Sequence, residues 1–166
     1  MTDTPDGGTV YDYDPRNLSS DSLAAIGLVA ACGAQLEFTI MELIGGCRGI
    51  DPTLRAKIGG MMTPQAKIDT AREAVNEKFK DKPDTLSGVN KLLSEAENAL
   101  NVRAVILQSS WFQDPKTTHL FREEPNSSDD TTSHIVPVPL LRLRTEANRI
   151  YDAGILIMDF VIRYRL

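Results

Sequence analysis

The stretch DTLSGVNKLLSEAENALNVRAVILQSSWF, residues 84–112, decides the fold class. Leu86, Val89, Leu93, Ala96, Leu100, Arg103, Leu107 and Ser110 recur at alternating three- and four-residue steps. That is the seam of a helix packed nearly antiparallel against other helices. Arg103 takes a seam position that the pattern otherwise gives to apolar residues. An isolated charge in a core is costly, so an inward arginine predicts an acidic or carbonyl partner on a facing helix.

The same periodicity extends upstream. Ser20 or Asp21 caps a helix whose stripe is Ile26, Val29, Ala30, Gly33, Leu36, Glu37, Ile40 and Ile44, and Gly45-Gly46 is expected to stop it. Asp51-Pro52 and Thr63-Pro64 each place a capping residue before a proline suited to the first helical position. The first opens a short helix ended by Gly59-Gly60. The second opens a long one reaching about Phe79, with Ile68, Ala71, Val75 and Phe79 on one side. Downstream, periodicity is lost from 113 to 139. Residues 117–122 and 133–138 read as two short strands around the polar loop 123–132, a small hairpin. Pro137 and Pro139 introduce a last helix, residues 140–165, with the stripe Leu140, Leu143, Ala147, Ile150, Gly154, Ile157, Met158 and Val161.

The expectation is therefore an all-α fold: an up-down four-helix bundle with one short extra helix and a small β-hairpin before the last helix. Residues 1–19, rich in Asp, Thr, Gly and Pro, read as a disordered or loosely attached tail, and 20–166 as the bundle domain.

Charge narrows the partners. With 18 Lys+Arg against 23 Asp+Glu, the net charge of −5 gives no broad attraction to phosphate backbones or anionic membranes. Arg142, Arg144, Arg149, Arg163 and Arg165 are interrupted by Glu146, Asp152 and Asp159, so no basic patch forms, and neither DNA nor membrane is a predicted partner. The apolar run 153–162 is broken by Asp159 and shorter than the ~20 residues a bilayer needs. Residues 1–16 lack a basic and then apolar leader, and Cys32 and Cys47 match no metal or redox spacing, which together point to the cytoplasm. The paired glycines lack the Lys and Ser/Thr of a phosphate loop and read as helix stops. His119 and His134, with Asp114 nearby, are weak evidence for zinc and read as solvated residues. No cofactor and no metal is predicted.

Glu37 and Arg103 are the most informative pair, because both lie on inward stripes. One reading is a structural ion pair that fixes helix register. The other is the remnant of a site in which arginine steadied a phosphate. Here the segment Asn101-Val-Arg103-Ala104-Val-Ile-Leu-Gln108-Ser-Ser-Trp111 resembles the RNxxxH signature of the HEPN superfamily. The inward Glu37 within Leu36-Glu37-Phe38, the piece Gly49-Ile-Asp-Pro52 with Gly59-Gly60-Met61, and Gln65-Ala-Lys67-Ile68-Asp69 follow the same layout over roughly residues 20–165.

The resemblance implies an all-α bundle that dimerises and, in its catalytic members, cleaves RNA without a metal. The family's arginine corresponds to Arg103. Its second polar residue corresponds to Ala104 and its histidine to Gln108. Glutamine exchanges no proton near neutral pH, whereas metal-free RNA cleavage needs an acid or base at the 2′-hydroxyl. The expected function is a non-catalytic homodimeric module in protein interaction or nucleotide binding, with Arg103, Gln108 and Trp111 as binding candidates. The alternatives are a metal-independent ribonuclease acting on RNA as a toxin or defence effector, and a structural component of a phage or mobile-element assembly. Trp111 is also read as packing the hairpin onto the bundle, and Gly27, Ala30, Ala31, Gly33 and Ala34 as a close-approach face within the chain or between two copies.

Overall fold

The computed structural model describes residues 14–114, 119–125 and 133–166. The chain is mostly helical, with a small three-stranded antiparallel sheet. Of the stretch assigned to the tail, residues 1–13 lie outside the described residues, whereas 14–19 are built onto the domain. Pro15–Asn17 form a 3-10 turn, Leu18 is buried, and the Ser19 backbone N–H donates to Gln113 Oε1 at 2.8 Å.

Helix α1 spans Ser20–Arg48, with the Ser19 hydroxyl accepting from the Ser22 N–H. It does not stop at Gly45-Gly46. It continues to Gly49, whose φ of 67° ends it in the left-handed conformation that glycine adopts without a Cβ penalty. The paired glycines serve close approach instead. A Cβ on Gly45 would lie 2.4 Å from Arg55 Cδ, and one on Gly46 would lie 2.4 Å from Leu166 Cβ.

Helix α2, Pro52–Gly59, starts on the Asp51 carboxylate, which accepts from the Thr53 and Leu54 N–H groups. Helix α3, Pro64–Lys78, starts on the Thr63 hydroxyl in the same way. Both starts match the Asp-Pro and Thr-Pro signals.

Helix α4 spans Pro83–Gln108, four residues short of the expected end. Its last carbonyls are taken by side chains: Ser109 Oγ donates to Val105 O at 2.5 Å, and the Trp111 indole N–H donates to Ile106 O at 2.8 Å. Trp111–Gln113 then become strand β1. With β2, Leu120–Pro125, and β3, Ser133–Pro137, the order is β1-β2-β3. Trp111, Arg122 and Val136 stand in register across it. The two-strand expectation thus gains a strand from the expected helix end, and β2 carries Glu123 and Glu124, which the polar composition of 123–132 places in the loop. The expected stretches at 117–118 and 126–132 lie outside the described residues. Trp111–Gln113 leave the helical path where β2 offers a pairing edge, Trp111 opposite Arg122 and Gln113 opposite Leu120.

The last helix, α5, spans Leu140–Tyr164. Helix α1 packs on α2, α3, α4 and α5. Along α1 and α3, Glu37 meets Lys67 and Arg48 meets Glu73, so these two helices run in the same sense. Along α1 and α5, Leu36 meets Gly154 and Gly46 meets Leu166, again in the same sense. Helix α4 runs opposite to its neighbours: Asn90 and Glu97 meet Asn76 and Arg72 on α3, and Thr85 meets Tyr164 on α5. The up-down alternation expected from sequence is therefore interrupted only between α1 and α3, because α2 carries the chain back along α1, with Arg55 against Gly45 and Gly59 against Met41, before α3 begins.

The core joins Leu36, Ile40, Leu43, Ile68, Leu93, Leu143, Ile150 and Ile157, all fully buried. The predicted stripes supply most of it. Leu107 is an exception: it is exposed, and Ile106 is buried in its place, on the side where Trp111 folds back over the helix end.

Candidate functional site

Glu37 lies one turn beyond Gly33 on α1. Its carboxylate is held on both oxygens. Arg103 Nη1 of α4 donates to Oε1 at 2.6 Å, and Lys67 Nζ of α3 donates to Oε2. The predicted Glu37–Arg103 pair is therefore present, and it is part of a three-helix ion cluster. Side-chain exposures of 15% for Glu37, 22% for Arg103 and 9% for Lys67 put the cluster beneath the surface.

Gly33 makes room for it. A Cβ there would sit 2.1 Å from Arg103 Cδ and 2.4 Å from Nε, so the arginine stem lies directly across the glycine backbone. Arg103 Nε is buried and has no hydrogen-bond partner among the described residues. Two cations share one carboxylate whose lone pairs already face donors. The two cations and the carboxylate form a clasp between α1, α3 and α4.

Lys67 is the member that sequence reasoning passed over. The signal was present: Lys67 precedes Ala71 by four residues and shares the α3 face with the buried Ala71, Ala74 and Val75. A lysine on that stripe needs a carboxylate in reach, as Arg103 does.

The remaining candidates are not brought together. Gln108 is the last residue of α4 and is exposed. Five helical residues carry it roughly 7.5 Å along the axis and about 140° around from Arg103. Ala104 is half-buried. Trp111 is buried and its indole N–H donates to Ile106 O, in keeping with the packing role expected from the sequence. His119 and His134 are both exposed, and His134 Nε2 lies 3.7 Å from Glu124 Oε2. Among the described residues no group of three His, Cys, Asp or Glu side chains is placed to hold a metal ion.

A second clasp joins α3 to α4. Arg72 Nη2 donates to Glu97 Oε2 at 2.7 Å and Gln65 Nε2 donates to Oε1 at 2.9 Å. The Arg72 guanidinium first, then the Gln65 amide, hold the Glu97 carboxyl below its ordinary 4.5. Desolvation pushes the Cys47 thiol up, against the smaller pull of Lys78 and Arg48, and also raises Cys32.

The outer side of α1 differs from every other helix surface. Leu23, Ala24, Gly27, Leu28, Ala31, Ala34 and Phe38 are exposed there, with Gln35 as the polar member. No charged side chain occurs between Asp21 and Glu37. By length and composition α1 is apolar enough to cross a membrane, with a mean hydropathy of 1.7 over its best window, and only 39% of that window is buried in the domain.

No family model matches the chain, and neither does any curated protein or solved structure.

Proposed function

We propose that the chain is a non-catalytic, HEPN-like helical module that works by association, pairing with a second copy through the outer face of α1. The observation that carries this reading is that face: about four turns of exposed helix, ~24 Å long, without a charge. Monomeric proteins rarely leave so continuous an apolar strip to water.

The area supports a dimer. Large side chains each offer roughly 150–250 Å² when fully exposed. Leu23, Leu28 and Phe38 are 45%, 43% and 54% exposed, and Tyr151 and Ile155 of the adjoining α5 are exposed as well. These five side chains offer roughly 350–550 Å², and with the four small residues the surface reaches the ~600 Å² per partner of the smaller specific interfaces. Gly27, Ala31 and Ala34 let two α1 backbones approach closely, as in an isologous contact.

The Glu37–Arg103–Lys67 clasp supports the non-catalytic part. Arg103 is committed to an internal carboxylate, and Gln108 stands apart on the surface. A phosphate at Arg103 would have to compete with Glu37 at 2.6 Å.

Sedimentation equilibrium tests the association. The native chain is expected at twice 18.3 kDa, and Leu28→Glu/Ala31→Glu is expected as a folded monomer of 18.3 kDa. A native monomer that floats with phosphatidylcholine vesicles would assign the face to lipid and overturn the dimer. Cleavage of mixed RNA in EDTA by the native chain, lost in Arg103→Ala, would overturn the non-catalytic reading.

A further inference from the structure

We infer that the open groove between α4 and α5 docks a basic amphipathic helix of a different protein. This rests on the reading that the chain acts by association, and not on its pairing with itself. The groove holds about 330 Å³. Its floor is apolar, with Val102 of α4 and Ile150, Ala153 and Leu156 of α5. Its α4 wall spans Glu95 to Val102, roughly 10 Å of helix, which matches two turns of a docked ridge.

Charge selects the occupant. Glu95 lies on the α4 rim, and Glu146 and Asp152 lie on the α5 rim. The one lining cation is Arg149, and it is turned onto Glu146 at 3.4 Å. The lining therefore carries three carboxylates and one guanidinium, which sits beside Glu146, and the groove is left net negative above an apolar floor. A helix with apolar residues at i, i+3 or i+4 and i+7, flanked by Lys or Arg, satisfies both features. A second copy of this chain does not. A two-fold axis through the groove would set Glu95 and Asp152 against the same carboxylates of the other copy, in a chain whose net charge is already −5.

Fluorescence anisotropy with two labelled 14-residue peptides tests the inference. One has leucine at helical spacing with lysine elsewhere, and the other replaces every lysine by glutamate. The Leu/Lys peptide is expected to bind at least about tenfold tighter than the Leu/Glu peptide. Glu95→Lys/Asp152→Lys should weaken it by at least about tenfold. Glu77→Lys/Asp81→Lys, exposed α3-side positions giving the same net charge, should change it less than about threefold. If helicity falls in the first double variant, Glu95→Gln/Asp152→Asn is read instead, with weakening again expected. Equal loss in both lysine variants, equal binding of the two peptides, or no binding of the Leu/Lys peptide overturns the proposal. The mass of each sample, measured alongside, reports separately on self-association.

Discussion

Gly33→Ala isolates the packing of the ion clasp. An alanine in place of glycine inside a helix ordinarily stabilises by up to about 1 kcal/mol. Here the new Cβ would lie 2.1 Å from Arg103 Cδ and 2.4 Å from Nε, atoms in the middle of a side chain whose far end is bonded to Glu37. The arginine cannot swing away and keep that bond. Overpacking costs roughly 1–3 kcal/mol, and a lost hydrogen bond to a charged group costs roughly 1.5–3 kcal/mol. These costs overlap, since moving the arginine relieves the first by incurring the second. After the propensity gain, a net loss of about 2 kcal/mol is expected, or roughly 4–8 °C in Tm for a domain of this size.

The decisive comparison repeats the substitution in an Arg103→Ala background. Removing the arginine opens the space over Gly33, while Glu37 keeps Lys67 as its partner. Gly33→Ala should then stabilise by about 0.5–1 kcal/mol. Urea unfolding followed at 222 nm gives all four corners of the cycle. The predicted signature is a change of sign between backgrounds. The same destabilisation in both would refute the claim that Gly33 is kept for the arginine stem.

Glu37→Gln leaves the buried Lys67 and the partly buried Arg103 without their carboxylate, so urea unfolding should show a loss of about 2–4 kcal/mol, below the full cost of breaking a fully buried pair. Lys67→Met, which leaves Glu37 with Arg103, should cost clearly less in the same assay. Glu97→Gln should cost roughly 0.5–1 kcal/mol at pH 7, since the pair with Arg72 is partly solvated. Because the Glu97 pKa is lowered by folding, its contribution is present above the ordinary 4.5 and fades as pH falls through the folded value. The two stability curves should therefore converge below pH 4.5, and a constant gap down to pH 3 would contradict the assignment. Cys47, whose thiol is pushed up chiefly by burial, should react with a disulfide reagent at pH 8 more slowly than glutathione does. Reaction at the glutathione rate would contradict its burial.

Local chemistry wrote much of this fold into the sequence. The Asp51-Pro52 and Thr63-Pro64 starts and the apolar stripes of all four long helices needed only neighbours three or four residues away. The inward pairing of Glu37 with Arg103 also followed from periodicity, since two opposite charges on buried stripes must meet. What tertiary structure decided were questions of approach and direction. Gly45 and Gly46 look like helix stops in isolation, yet Arg55 and Leu166 press against them and keep the helix going. Trp111 and Phe112 continue a helical pattern, yet β2 supplies a pairing edge that draws them into a strand. Lys67 carried a readable signal, but only the convergence of three helices on Glu37 gives that signal its meaning. Sequence fixes which faces are apolar and which residues cap, because those depend on spacing along the chain. Which helices run side by side, and which glycine clears the path for an arginine, depend on contacts between residues 30 to 120 positions apart, and no local pattern encodes them.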